Sequence, residues 1–226
     1  MAVLNHAIYD SIPYQYIEEK DLSNPPEHDL FVGSVEGVRM VLESKGLTLP
    51  NPNYYPSQLS EFLHRKVWEG TATTVLQEIA QGNRVFAKPR HKWKSFTGQL
   101  FTQNEGYTLI SSLDPKEPLW LSEEVDIRSE FRAYVTEGKL TSICQYTGDY
   151  DDDEILDTAS VLNATSILKQ SGYQTDTYAF DWAITKERKT IFLEMNDAFG
   201  IGRYKGISDA QYYKFLLARW QTLNKI

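Results

Sequence analysis

The sequence predicts an α+β fold in which antiparallel strands, gathered into hairpins, are flanked by amphipathic helices. Two stretches carry this expectation. Phe131, Ala133 and Val135 alternate with Glu130, Arg132 and Tyr134, and a turn at Gly138 leads to a matching run over residues 140–146. Further on, residues 177–184 and 190–196 flank the polar stretch Lys186-Glu187-Arg188-Lys189. A period of two marks half-buried strands, and short polar connections join neighbouring strands antiparallel. Around these hairpins lie segments with the 3.6-residue apolar period of helices that cover a sheet.

Taken in order, residues 30–33 form a short apolar run ending in glycine and read as a strand. Ser34 is placed to cap a helix with Val35, Val38 and Leu42 on one face, closed by Gly46. This unit predicts a small N-terminal α/β lobe over residues 1–70, left through the Pro- and Asn-rich stretch 49–56, and a main domain over 71–226. Helical segments are expected at 58–68 and 73–80, then a stop at Gln81-Gly82-Asn83. Residues 84–88, 107–111 and 119–125 read as strands. After the acidic run 149–154, a helix carries Ile155, Ala159 and Leu162 on one stripe and Val161, Ala164 and Leu168 on the next, ending at Gly172. Ser208 and Gln211 form the capping box of a last helix that buries Tyr212, Leu216, Trp220 and Leu223.

Composition excludes several classes. With 226 residues and 41% hydrophobic side chains, the chain can bury a sizeable core, so disorder is ruled out. A net charge of -8 argues against nucleic-acid binding through bulk charge. Cys144 is the sole cysteine, which removes disulfide frameworks and multi-cysteine zinc sites and fits a reducing cytoplasmic setting. The four histidines lack HExxH spacing. Asp10, Glu18 and Glu19 interrupt the region a signal peptide would occupy, and no apolar run is long enough to span a membrane.

The second hairpin carries the most chemistry. If Lys186 to Lys189 is a four-residue loop, Thr185 pairs with Thr190 and Asp181 stands opposite Glu194. Opposed carboxylates destabilise a sheet unless they are solvated or share a cation. Asn196, two residues on, lies on the same face as Glu194, and Ala179 and Ala183 leave room beside Asp181. An all-oxygen Asp181, Glu194 and Asn196 set suits Mg²⁺. Tyr178, Phe180, Trp182 and Ile184 on the other face would bury the hairpin, which raises the cost of unpaired acids.

Lys88, Arg90, His91, Lys92 and Lys94 fall within seven positions and are followed by Ser95, Phe96, Thr97 and Gly98. A strand-borne lysine entering such a loop can hold phosphate oxygens; the same cluster, with Trp93 and Phe96 to stack on bases, could contact RNA. Arg132 shares a strand face with Glu130, and an arginine there can hold a phosphate or carboxylate through two parallel hydrogen bonds. Other motifs fail. Glu154 stands where an EF-hand opening at Asp149 needs glycine, Gly200-Ile201-Gly202 lacks the third glycine of a dinucleotide fingerprint, and no Walker A sequence is present.

Together, in order, Val85-Phe86-Ala87-Lys88-Pro89, Phe96-Thr97-Gly98, Ser129-Glu130-Phe131-Arg132-Ala133-Tyr134-Val135, Phe180-Asp181 and Phe192-Leu193-Glu194-Met195-Asn196 resemble the ATP-grasp superfamily. The likeness is closest to its small clade named for two arginines and a lysine, common in phages and bacteria. Phe31-Val32-Gly33-Ser34-Val35-Glu36 resembles the lobe preceding the ATP-grasp core there. The resemblance implies antiparallel sheets with flanking helices around a nucleotide cleft, and ATP with Mg²⁺ as cofactors. It implies Lys88 on the phosphates, Ser122, Glu123 and Val125 near the adenine hinge, and Asp181, Glu194 and Asn196 on magnesium. Arg132 and Arg203 become candidates for stabilising a phosphate or acyl phosphate, and Glu130 for the ribose, with Lys94 or Lys92 as alternatives to Lys88 for the clade's lysine. The implied activity is ligation of a carboxylate to an amine, on small molecules or a peptide or protein. Glu130-Phe131-Arg132, Gly138-Lys139-Leu140 and Ile143-Cys144-Gln145 also resemble the D123 family, which implies instead an ATP-binding assembly factor that clasps a protein partner.

Overall fold

Two four-stranded antiparallel sheets organise the chain, which a computed structural model describes over residues 1–91, 96–149 and 155–224. The first contains β1 (Val67–Thr71), β2 (Val85–Pro89), β3 (Gln99–Phe101) and β4 (Pro118–Ser122) in the order β1-β4-β2-β3. The second contains β5 (Ile127–Thr136), β6 (Lys139–Thr147), β7 (Tyr178–Thr185) and β8 (Thr190–Asp197) in the order β6-β5-β7-β8. The helices are α1 (Ala2–Tyr9), α2 (Val35–Ser44), α3 (Ala72–Ala80), α4 (Tyr107–Ser112), α5 (Thr158–Gln170) and α6 (Asp209–Leu223). The α+β class and the two hairpins are those expected from the residue patterns, and the antiparallel sheets are those the family resemblance implies.

In the first sheet, local sequence and packing agree. Thr71 and Thr74 cap the start of α3 reciprocally, and Ala72, Val75 and Ile79 of that helix pack on Val85, Ala87, Phe101, Leu119 and Leu121. Gly82, at φ 84°, turns the chain from α3 into β2, a conformation that costs a residue without Cβ little.

Each face of the second sheet has its own cover. Phe131, Ala133, Val135, Tyr178, Phe180, Trp182 and Ile184 pack under α5 and the 3₁₀ turn Ser57–Phe62. Of the two expected stripes, the one with Val161, Ala164 and Leu168 is buried on α5, while Leu162 of the other and Ile155, which precedes the helix, face solvent. The opposite face, with Tyr134, Cys144 and Ala179, packs on Tyr212, Phe215 and Leu216 of α6. The capping box of Ser208 and Gln211 forms as expected. A buried pair joins α6 to the end of β8, where Arg219 donates to both carboxylate oxygens of Asp197 at 2.6 Å.

Three expected elements differ. Residues 30–33, expected as a strand, are coil: they pair with no strand and instead lead to Ser34, the cap of α2, which accepts from Gly37 N at 3.1 Å. The N-terminal segment packs through Leu22, Val35, Val38, Val41 and Leu42 against Trp220 and Leu223 of α6. The expected helix at 58–68 splits into the 3₁₀ turn and β1, which borders β4 from Val67 onward. Residues 107–111 are helical: Gly106 at φ 77° redirects the chain, and Ile110 enters the core beneath α3. Packing overrides a β-type pattern there. Among the described residues no helix is long and apolar enough to cross a membrane.

Candidate functional site

The β7–β8 hairpin sets two carboxylates opposite each other, but by a different route from the expected loop. Ile184 pairs with Thr190, one position off the Thr185–Thr190 pairing that a four-residue loop gives. Thr185 N donates to Lys189 O at 3.0 Å and Arg188 sits at φ 62°, so the connection is a three-residue loop with a left-handed third residue. Between Trp182–Phe192 and Asp181–Glu194 the register shifts by one, leaving Leu193 as a β-bulge. The two differences cancel at Asp181. The bulge also rotates the rest of β8. Without it, Glu194 and Asn196 would share the face of Phe192 in the apolar core; with it, Met195 enters that core beside Phe180.

Both acids are engaged by cations from other strands. Arg132 is the cross-strand neighbour of Asp181 and donates through Nε and Nη2 to its two oxygens at 2.8 Å each. Lys88 crosses from the first sheet to ion-pair with Glu194, its ammonium 3.3 Å from the centre of the Tyr54 ring. Asn196 Nδ2 bridges Asp181 Oδ2 at 3.3 Å and Glu194 Oε1 at 3.1 Å. The chain runs Lys88, Glu194, Asn196, Asp181, Arg132 and joins the two sheets.

Burial dominates the electrostatics. It pushes the Asp181 carboxyl up to about 6, against the pull of Arg132. Burial opposes ionisation of Glu194 as well, but Lys88, together with Asn196 and Arg132, holds that carboxyl below its ordinary value. The Lys88 ammonium is itself lowered by burial, with Glu194 restoring part of the loss.

Beyond the acids, Arg132 lies 4.8 Å from the Tyr204 ring centre, and Tyr204 stacks on Tyr146 at 4.5 Å. Tyr146 Oη donates to Glu130 Oε2 at 2.6 Å, so Glu130 is held beside the arginine. Ser122 is buried at the end of β4, and Glu123 and Val125 lie in the connection between the sheets; Glu123 Oε2 accepts from Lys66 N at 2.8 Å. Arg203 faces the start of α6, donating to Ile207 O at 2.6 Å and pairing with Asp209 at 2.9 Å. Lys92 and Lys94 lie outside the described residues.

Arg65 is a member of this constellation that the sequence patterns do not reveal. Its guanidinium donates to Ser122 Oγ at 2.9 Å, Leu63 O at 3.1 Å, Phe192 O at 2.7 Å and Leu193 O at 2.9 Å. A lone arginine in a coil carries no periodic signal.

The donor set has the chemistry of a hard-cation site. Among the described residues no group of three or more His, Cys, Asp or Glu side chains is placed to hold a metal ion, so the candidate set has two carboxylates and an amide. A divalent cation here would take oxygens from Asp181 and Glu194, and from Asn196 after a half-turn of its amide. Its other positions would fall to water and phosphate oxygens, as suits Mg²⁺.

Residues 62–215, more than half of the chain, match the model of an ATP-grasp domain family, the second family of the clade named for two arginines and a lysine. No curated protein matches. Among solved structures the chain is similar to the ATP-grasp ligase PsnB complexed with minimal precursor, at 13% identity and a TM-score of 0.47, over 80% of this chain and 69% of that one. It is similar to macrocyclase MdnC from Microcystis aeruginosa MRC bound with precursor peptide MdnA, at 15% identity and 0.47, over 75% and 60%. It is also similar to D-alanyl-alanine synthetase A from Vibrio cholerae O1 biovar eltor str. N16961, at 12% and 0.49, over 85% and 75%. The chain thus spans 60% of the length of MdnC.

Proposed function

Because the chain belongs to the ATP-grasp domains of the two-arginine, one-lysine clade, in its second family, we propose that it binds ATP with Mg²⁺ where its two sheets meet and couples a carboxylate to an amine through an acyl phosphate. The observation that carries this is the convergence of Lys88 from one sheet with Glu194, Asp181 and Arg132 from the other. A buried acid and a half-buried one, each tied to its own cation, are costly to maintain without a role.

In this proposal Lys88 leaves Glu194 for the oxygens of the triphosphate, and Arg132, fixed by Asp181 and flanked by Tyr204, faces charge that spreads over the transferring phosphoryl group. Asp181, Glu194 and Asn196 would hold the Mg²⁺, which supplies charge neutralisation and alignment of the phosphate oxygens when bound. Ser122, Glu123 and Val125, at the connection between the sheets, would border the adenine, and Glu130 the ribose. Carboxylate attack on the γ-phosphorus breaks its bond to the bridging oxygen and releases ADP. The amine then attacks the acyl carbon, expels phosphate and loses a proton. No side-chain nucleophile takes part.

The test is ADP release by the purified chain across panels of carboxylates and amines. Release that requires both partners supports ligation. Tight Mg·ATP binding without turnover on any panel, together with a protein retained only in the presence of ATP, would replace ligation by partner clasping.

A further inference from the structure

We propose that Arg65 is a positioning residue of the site: its guanidinium holds the Leu193 bulge in place, and the bulge is what aims Glu194 at Asp181. The inference rests on the function proposed above for those acids, but its structural half stands separately.

Pairing along β7 and β8 is regular from Ile184–Thr190 to Trp182–Phe192, and regular again from Asp181–Glu194 to Tyr178–Asp197. Only Leu193 is extra. Side chains alternate faces along a strand, so the facing of Glu194 and Asn196 depends wholly on this one unpaired residue. A bulge leaves backbone carbonyls without ladder partners, and such carbonyls need donors. Here the carbonyls of Phe192 and Leu193 both accept from Arg65, at 2.7 and 2.9 Å, through two arms of one planar fork. The remaining Nε is fixed by Ser122 Oγ on the first sheet, which itself donates to Glu123 O at 2.7 Å. Arg65 therefore ties the connection between the sheets to the bulge beside Glu194. None of these hydrogen bonds goes to the acids; the guanidinium charge does act through space on Glu194 and Lys88, and the Leu193 deletion separates that charge effect, which it cannot repair, from the effect carried by the backbone of β8.

Deleting Leu193 supplies the decisive comparison. Without that residue Glu194 falls opposite Asp181 in a regular ladder, and the arginine is no longer needed for the facing. The experiment titrates Mn²⁺ in the presence of a non-hydrolysable ATP analogue, followed by electron paramagnetic resonance, on the full chain. Backbone NOEs between Asp181 and Glu194 are recorded without metal. The Arg65→Met variant is expected to weaken Mn²⁺ binding by the folded protein at least tenfold and to lose those NOEs. Arg65→Lys, which cannot fork across two carbonyls, should lose less. Arg65→Met combined with deletion of Leu193 should regain both the NOEs and Mn²⁺ affinity to within about threefold of the unmodified chain.

Unchanged Mn²⁺ affinity and NOEs in Arg65→Met would overturn the proposal, as would failure of the deletion to restore them. If Arg65→Met alone does not fold, the combined variant decides, since a purely structural arginine would leave it unfolded too. An unmodified chain that shows the NOEs but binds no Mn²⁺ would overturn the metal assignment and leave the backbone role of Arg65 to the NOE comparison.

Discussion

Replacing Arg132 with methionine isolates the buried charge on which the site depends. Asp181 is 3% exposed, and both oxygens of its carboxylate accept from Arg132 at 2.8 Å. Removing one partner of such a pair costs about 3–5 kcal/mol when the other stays charged. The cost must depend on pH. Burial raises the Asp181 carboxyl from 3.8 to about 6, so this group favours the folded state below pH 3.8 and loses that contribution as pH rises through 6. A rise of about 2 pK units corresponds to about 3 kcal/mol of unfavourable ionisation at pH 8. Without Arg132 the carboxyl stays protonated to still higher pH. At pH 5 the acid is largely neutral in both proteins, so Arg132→Met should forfeit only about 1–2 kcal/mol of hydrogen bonding. Urea denaturation followed by circular dichroism at pH 5 and pH 8 measures both values. Equal losses at the two pH values would refute the assignment of the cost to the Asp181 charge. The double variant Arg132→Met/Asp181→Leu should recover most of the loss at pH 8, because an apolar pair carries no desolvation penalty.

Glu194→Gln keeps the shape of the side chain and removes its charge. It should lower Mg²⁺-dependent binding of a non-hydrolysable ATP analogue at least tenfold, about 1.4 kcal/mol by calorimetry, while sparing Mg²⁺-free binding. Lys88→Met should weaken binding with and without Mg²⁺, since the lysine is assigned to the phosphates; an unchanged Mg²⁺-free affinity would reject that role. Gly200→Ala should destabilise the chain by about 1–3 kcal/mol in urea melts. Gly200 stands at φ 58°, and an added Cβ would come within 2.7 Å of Val35 Cγ2 and 2.9 Å of Val35 N at the start of α2; a stability within error of the unmodified chain would contradict that close approach.

Much of the second sheet and its helices was legible in the residues because periodicity and capping are local. The alternation around Phe131, the helical period of α5 and the Ser208–Gln211 box each depend on residues a few positions apart, while which of the two α5 stripes is buried was left to packing. The opposition of Asp181 and Glu194 was legible too, although the loop that predicts it is one residue too long and Leu193 makes up the difference. The helix at α4 was not, because the pattern around Ile110 is that of a strand until the core beneath α3 claims it.

What sequence alone determined is therefore the class of the fold, the two hairpins and the opposition of Asp181 and Glu194. Tertiary structure decided how those acids are neutralised, with Lys88 pairing to an acid 106 positions away and Arg65 holding carbonyls 127 and 128 positions on. The physical reason is range. Backbone propensity and side-chain period act within a turn or a strand, whereas a bulge and a buried ion pair exist only once distant segments supply the donors and charges they need.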